Sequence, residues 1–342
     1  MTRRLLSSSN LSVLVILALF VIMFGFGSFA YTGFFAPQNF LNLFIDNAYL
    51  LILAVGMTFV IIAGGIDLSV GSMLGLGTML SAGLLQKAHL HPLLVILLVL
   101  LIGSALGFFH GLLIQLFDLP PFIITLAGYY MARGLCYVVS LETIPVTDKL
   151  FLTMANGRVP IWGDAFIKPY VVIAIVIVLA GAYVLRFTRF GRTVYAIGGN
   201  EQSALLMGLP VGRTKILIYS LSGFCAGLAG IVFTLYTSSG YALNGKGMEL
   251  DAIASVVIGG TLLTGGAGSI LGTVLGVLVY GTIQVLIMFQ GTLNSWWTRI
   301  AIGFLVFVFC SLQRLFEARK GARAVRTMTH QPERHAAVAG GG

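Results

Sequence analysis

Three ionisable residues lie inside or beside long apolar stretches, where a charge is costly and therefore marks a functional candidate. They are Asp67, Arg133 and Asp251. Two of them have a structural alternative: Asp67 is placed to cap the helix that follows it, and Arg133 can snorkel or pair with a helix end. A proton relay needs acids in series along several membrane spans. These residues are isolated from one another, which counts against such a relay.

Nucleotide-binding and catalytic motifs are missing or incomplete. Residues 240–246 (Gly-Tyr-Ala-Leu-Asn-Gly-Lys) fit the first seven positions of a P-loop, but Gly247 stands where Mg²⁺ binding needs Ser or Thr. No serine has a glycine two positions before it, and no His-Glu-x-x-His occurs. The sequence predicts neither a nucleotide site nor a catalytic centre on this chain, and no cofactor of its own.

The composition is that of a membrane protein. The 342 residues are 58% hydrophobic and 9% charged, with a mean hydropathy of +0.99, whereas about a quarter of the residues in a soluble domain are charged. Apolar runs near the length that spans a bilayer as a helix recur throughout. We predict an all-α polytopic membrane protein with about ten transmembrane helices, one or two of them broken or re-entrant.

The spans can be placed from the apolar runs and oriented from the charges. They are predicted at 11–30, 45–63, 67–86, 92–117, 122–140, 169–187, 215–237, 250–264, 268–289 and 297–315. Most of the 20 basic residues lie near the N-terminus, in segment 186–215 and in the tail, which predicts both termini in the cytoplasm. The 250–264 stretch is short and ends in glycines, so a re-entrant segment fits it as well as a full span. Residues 317–342 are predicted to be a disordered cytoplasmic tail.

A possible internal repeat contains two glycine-rich breaks. Residues 64–76 align without gaps on residues 265–277, and both copies join two apolar segments in the same orientation, so an inverted repeat is not supported. Matching breaks mark the substrate path in many transporters, although coincidence in a chain with 43 glycines explains the match equally well. Together with the three ionisable residues above, these glycines give the candidates for a translocation path: Gly64, Gly65, Asp67, Arg133, Asp251, Gly265 and Gly266.

Segment 186–215 is the most polar interruption of the apolar chain, with five basic residues and one acid. A short helix over 203–207 would present Leu205, Leu206 and Met207 and would end at Gly208 and Pro210. A connecting loop kept inside by its arginines would need no exposed Leu-Leu-Met. The pattern favours a helix that seats its apolar face in a partner.

Several motifs, in order from about residue 40 to 315, resemble the ribose-type sugar permeases of bacterial ABC importers. The matching residues are Asp-Asn-Ala at 46–48, Ala-Val-Gly-Met-Thr at 54–58, Gly-Gly-Ile-Asp-Leu-Ser-Val-Gly-Ser at 64–72, Phe-Ile-Ile-Thr-Leu at 122–126, Arg-Phe-Gly-Arg at 189–192, Ala-Ile-Gly-Gly-Asn at 196–200 and Leu-Asp-Ala-Ile-Ala-Ser-Val-Val-Ile-Gly-Gly-Thr at 250–261. Within that family, residues 240–243 and 295–298 favour the galactofuranose permease subunits.

The resemblance implies one half of a monosaccharide translocation pathway in the bacterial inner membrane, with residues 1–316 as the permease domain. Its partners would be an ATPase subunit that holds ATP and Mg²⁺, a second permease (identical or different), a periplasmic sugar-binding protein and the lipid bilayer, without nucleic acid. The ATPase would bind segment 186–215, hereafter the coupling segment. The family pattern Glu-Ala-Ala-x-x-x-Gly is matched only at Ala204 and Gly208. The implied ATPase-coupling residues are Glu201, Gln202, Ser203, Ala204, Leu205, Leu206, Met207 and Gly208.

Two other classes of protein remain as alternatives. An ion-coupled secondary sugar transporter would need acids in series within the membrane, and an intramembrane enzyme would need a nucleophile or metal motif. The isolated acids and the missing motifs count against both classes.

Overall fold

The computed structural model describes residues 8–294 and 296–311, and most of these residues are helical. Proline opens four of the helices, where its fixed φ fits and its missing N–H costs nothing. In chain order the helices are α1 Ser8–Ala30, α2 Pro37–Asp46, α3 Ala48–Ile62, α4 Val70–Gln86, α5 Pro92–Phe117, α6 Pro121–Val139, α7 Lys149–Asn156, α8 Pro169–Phe187, α9 Arg189–Gly199, α10 Glu201–Leu206, α11 Val211–Thr237, α12 Met248–Ile258, α13 Ile270–Gln290 and α14 Trp296–Ser311.

Each predicted span overlaps a helix, but the described residues do not confirm ten spans. Six helices are long and apolar enough to cross a membrane, namely α1, α5, α6, α8, α11 and α13. The pair α2 and α3, bent by 54° at Asn47, makes a seventh if it is one span. Helix α12 has 11 residues, or about 16 Å, which is half of the hydrocarbon thickness. It is therefore too short to span alone.

Two small antiparallel ribbons correct the all-α prediction. Strand β1 (Ile144–Pro145) pairs with β4 (Ser239–Gly240), and β2 (Val159–Trp162) pairs with β3 (Ala165–Ile167). Helix α8 runs from the β2–β3 ribbon to the coupling segment, so the ribbons and the coupling segment lie at opposite ends of the bundle. We call these the distal end and the coupling end. The N-in, C-in orientation stays a prediction, and the tail predicted at 317–342 lies outside the described residues.

Helix α11 forms the centre of the bundle and packs against α3, α4 and α5. Glycines at intervals of four make the α5–α11 contact close. A methyl group on Gly103 would lie 2.6 Å from the Gly223 carbonyl oxygen, and one on Gly223 would lie 2.2 Å from the Gly103 oxygen. Helices in lipid associate through such small-residue interfaces, because hydrocarbon drives no hydrophobic association between them.

Helix α3 lies inside the bundle for its whole length. Every residue of α3 except Tyr49 is buried, and its neighbours are α8, α11, α12 and α13. Because Ala48 starts the helix on the distal side and Ile62 ends it at the coupling end, α3 is an enclosed rod between the two ends of the molecule.

The glycine interface predicts a large stability difference between two similar substitutions. Gly107→Ala places a methyl 2.2 Å from the Tyr219 carbonyl oxygen, whereas Gly134→Ala on α6 meets no atom within 4 Å. Overpacking of this kind costs about 1–3 kcal/mol. We expect thermal unfolding of the detergent-purified protein to show a clearly lower Tm for Gly107→Ala and an unchanged Tm for Gly134→Ala. Equal Tm values would contradict the described α5–α11 contact.

Candidate functional site

The coupling segment folds as two capped helices, α9 and α10, joined at Asn200. The Thr188 hydroxyl accepts a hydrogen bond from the Gly191 N–H at 3.1 Å, and the Asn200 Oδ1 accepts one from the Ser203 N–H at 2.7 Å. Gly208 follows with a φ of +74°, which glycine adopts without a steric penalty. The predicted short helix at 203–207 is therefore present, but it begins two residues earlier and ends one residue earlier.

Helix α10 has one anchored side and one exposed side. Ala204 is fully buried against Ile197 and Val211, while Leu205, Leu206 and Met207 are 54%, 90% and 68% exposed. Three large apolar side chains exposed within a basic, polar segment are costly to leave in water. The arrangement is that of a docking surface on a fixed base.

An ion pair joins α10 to the central helix. The Lys215 Nζ donates to the Glu201 Oε1 at 2.6 Å. The pair borders a cavity of about 260 Å³ at the coupling end, whose walls also include Gly64, Asp118 and Tyr219. Because Glu201 belongs to α10, a displacement of α10 changes the shape of this cavity.

The two glycine-rich breaks of the repeat meet in space. The Gly266 N–H donates to the Ile62 carbonyl oxygen at 2.8 Å, and a methyl on Gly265 would lie 3.0 Å from the Gly64 Cα. Gly64 and Gly265 have φ values of +84° and +85°, a left-handed conformation that favours glycine. Four of the predicted path residues are thus brought together, although they are about 200 positions apart in the sequence.

Helix α9 of the coupling segment packs against both glycine-rich breaks. A methyl on Gly198 would lie 1.7 Å from the Ile62 carbonyl oxygen and 2.4 Å from the Gly266 N. The Tyr195 hydroxyl donates to the Gly268 carbonyl oxygen at 2.7 Å. Burial raises the pKa of the Tyr195 phenol, with Arg186 opposing the shift, so the donor stays protonated. We call this meeting of Gly64–Gly65, Gly198–Gly199 and Gly265–Gly266 the glycine junction.

Asp67 lies close to the junction but is enclosed in the protein. Its Oδ1 accepts hydrogen bonds from the Ser69 N–H at 3.0 Å and the Ser69 hydroxyl at 2.5 Å, and its Oδ2 accepts one from the Ser222 hydroxyl at 2.7 Å. Asp67 is fully buried. The carboxylate therefore fixes the entry of α4 against α11, a positioning role rather than contact with a solute.

Arg133 is also a structural residue. Its Nη1 donates to the carbonyl oxygens of Ala242 at 2.6 Å and Asn244 at 2.8 Å. These carbonyls belong to a turn that precedes α12 and contacts Gly71 and Gly75 in α4. Irregular backbone at membrane depth needs such partners. The structure thus favours a structural role for Arg133, whose side chain binds the turn that precedes α12.

Asp251 has a different setting. It lies in the first turn of α12, is half-buried, and is next to Tyr280 where α12 packs against α13. Of the seven predicted path residues, four therefore form the junction. Among the three ionisable ones, Asp67 and Arg133 are buried and hold backbone segments in place, and Asp251 keeps part of its surface open.

Sequence reasoning missed several residues of the site. In the sequence, Gly198 stands only within the Ala-Ile-Gly-Gly-Asn motif, and Ser222, Tyr219 and His110 belong to none of the motifs. His110 and Tyr219 are buried near Asp67, and their side-chain polar atoms have no partner among the described residues. The spacing of Lys215, Tyr219 and Ser222, which share one face of α11, is a signal that could have found two of them.

Known proteins resemble this chain over most of its length. The family described as "Branched-chain amino acid transport system / permease component" matches residues 39–310. The inner membrane ABC transporter permease protein YjfF of Escherichia coli (strain K12) is 47% identical over 321 residues, which are 93% of this chain and 97% of that protein. No solved structure matches the chain.

Two further relatives have a substrate in their names. The fructose import permease protein FruG of Bifidobacterium longum (strain NCC 2705) is 42% identical over 322 residues, which cover 91% of this chain and 92% of that protein. The ribose import permease protein RbsC of Bacillus subtilis (strain 168) is 40% identical over 285 residues, which cover 82% and 86%.

The junction predicts opposite outcomes for two neighbouring glycines. Gly198→Ala drives a methyl into the Ile62 carbonyl oxygen, while Gly199→Ala meets no atom within 4 Å. We expect Gly198→Ala to lower the Tm of the purified protein and to make α9 accessible to limited proteolysis. Gly199→Ala is the control and should match the wild type. A wild-type Tm and proteolysis pattern for Gly198→Ala would mean that α9 does not seat in the junction.

Proposed function

The chain belongs to the family of permease components of ABC transport systems, and we propose that it is the membrane-spanning subunit of an importer for a neutral monosaccharide. The single observation that carries this proposal is helix α10, which presents Leu205, Leu206 and Met207 to the surroundings while Ala204 and the Glu201–Lys215 ion pair fix its other side. An importer whose permease lacks an ATP site needs such a contact with an ATPase.

The contacts of the coupling segment suggest how a movement of the ATPase would be transmitted through the permease. Docking at α10 would move α9, whose Gly198 packs against Ile62 with no free space. Interiors packed this tightly transmit displacement rather than absorb it. Ile62 ends α3, so the displacement reaches the rod that runs to the distal end. The cavity beside Glu201 and Lys215 would change shape in the same movement.

The relatives and the sequence motifs support the sugar and the partners that we propose. The names of two relatives specify fructose and ribose import, and residues 240–243 and 295–298 favour galactofuranose among such sugars. The assembly would contain an ATPase subunit that binds ATP and Mg²⁺, a second permease and a periplasmic sugar-binding protein at the distal end. It would lie in the bacterial inner membrane with the coupling end in the cytoplasm.

The docking role of α10 predicts the effect of charges on its exposed face. Leu205→Asp with Leu206→Asp should abolish co-purification of the ATPase and reduce sugar uptake to background, because a charge in an apolar groove is left unpaired. The protein should still insert in the membrane and keep its Tm, since both side chains are exposed.

The control for this experiment is Leu141→Asp, which adds a charge at an exposed apolar position of the distal end. It should leave ATPase co-purification intact. Retention of the ATPase by the Leu205→Asp, Leu206→Asp protein would overturn the coupling assignment.

The proposed substrate class and energy source can be measured together. Proteoliposomes holding the complex purified from its host, supplied with the binding protein, should take up one labelled sugar among galactofuranose, ribose and fructose when ATP and Mg²⁺ are present on the coupling side. L-leucine, suggested by the family description, should not compete. Uptake by this chain alone under a proton or sodium gradient would instead establish a secondary transporter.

A further inference from the structure

Six polar and aromatic side chains form a continuous strip that begins on the distal side. At its outer part, the Tyr236 hydroxyl donates to the Asp46 Oδ1 at 3.5 Å, a long contact. The Tyr49 ring centroid lies 5.9 Å from that of Tyr236 and 4.7 Å, edge to face, from that of Phe233. Tyr49 is also the only residue of α3 that is not buried.

The inner part of the strip is built on α12 and α13. The Tyr280 hydroxyl accepts a hydrogen bond from the Gln284 Nε2 at 3.2 Å. A methyl on Gly276 would lie 1.9 Å from the Ser255 carbonyl oxygen, so the antiparallel packing of α12 on α13 places Asp251 beside Tyr280. The two parts meet where the distal end of α3 packs against α12 and α13: a methyl on Gly281 would lie 2.6 Å from the Asn47 Nδ2, two residues before Tyr49. We call Asp46, Tyr49, Tyr236, Asp251, Tyr280 and Gln284 the polar strip.

The strip descends to the middle of the membrane. Tyr280 is the eleventh of the 21 residues of α13, so it lies about 15 Å from either end of that helix. Asp251, beside it, is therefore at mid-depth, whereas Tyr236 is the penultimate residue of α11 at the distal end. The side chains thus lead from the distal surface to the centre of the bundle.

The surface of the strip cannot face lipid. Tyr236 is 41% exposed, and Tyr49, Asp46, Asp251 and Gln284 are partly exposed. Carboxylates at membrane depth face a bundle interior or a water-filled path, because contact with hydrocarbon costs several kcal/mol. The described residues contain no ion pair to either carboxylate. Both carboxylates remain able to accept hydrogen bonds from a solute.

We propose that the polar strip is the permease's own contribution to sugar recognition along the path, a refinement that rests on the proposed function. Aromatic rings pack on the apolar C–H faces of a sugar ring, and carboxylate and amide groups bind its hydroxyls. Two carboxylates in a confined path repel anions. The strip therefore selects neutral sugars and rejects sugar phosphates and sugar acids.

The first test is uptake by the complete complex in proteoliposomes. Asp251→Asn should reduce sugar uptake at saturating loaded binding protein by about tenfold or more, the loss expected when a charged hydrogen bond is removed. ATPase co-purification should stay intact. Glu142→Gln, an exposed distal carboxylate outside the strip, is the control and should transport like the wild type.

The second test asks whether water reaches the strip in the assembled complex. Tyr236→Cys in a Cys310→Ala background should react with a charged, membrane-impermeant maleimide from the distal side, and transported sugar should slow the reaction. The other two native cysteines, Cys136 and Cys225, are buried. Leu179→Cys on the exposed apolar face of α8 should not react.

The outcomes separate this inference from the function on which it rests. Normal uptake by Asp251→Asn, or an unreactive Tyr236→Cys, would show that the polar strip does not bind the sugar, while the proposed importer function would still stand. An unreactive cysteine would indicate that the strip packs against the second permease. A wild-type complex that moves no sugar with ATP would instead refute the proposed function.

Discussion

Hydrocarbon offers the backbone no water, so each N–H and C=O at membrane depth needs a partner within the protein. This constraint explains the two irregular regions of the bundle. At the glycine junction the Gly266 N–H binds the Ile62 carbonyl oxygen directly. Before α12, where the backbone turns, Arg133 supplies the donors for two carbonyls. The helices can break at these places because the free backbone groups are bound by other parts of the chain.

The same close packing connects the ends of the molecule. Gly198 of the coupling segment, Ile62 at the end of α3 and Gly266 before α13 share a space too small for one methyl group. Packing this close leaves α9, α3 and the segment before α13 little freedom to move relative to one another. At its other end α3 carries Tyr49, its only residue with an open surface. The movement of α10 that we propose for ATPase docking thus has a physical route to the side chains that we assign to the sugar.

The polar groups inside the bundle are of two kinds: some are fully bonded and stabilise the fold, and others keep part of their surface accessible. Asp67 has three hydrogen bonds from Ser69 and Ser222 and no exposed surface. Asp251 has a tyrosine beside it and an open side. Both acids lie in similar glycine-containing sequence, so charge and depth alone do not separate a positioning residue from one that can meet a solute.

The sequence by itself determined the membrane class, the approximate limits of the helices and the exposed Leu-Leu-Met of α10. These follow from local properties: run length, periodicity, and glycine or proline at helix ends. Tertiary structure alone decided that three glycine pairs meet, that Arg133 serves backbone carbonyls, that α12 stops at half depth, and that Asp46 joins Asp251 in one strip. The contacts of the glycine pairs and of Arg133 join residues that are far apart in the sequence, from 68 positions for Gly198 and Gly266 to 201 for Gly64 and Gly265. How helices pack sets such contacts, and local pattern does not encode it.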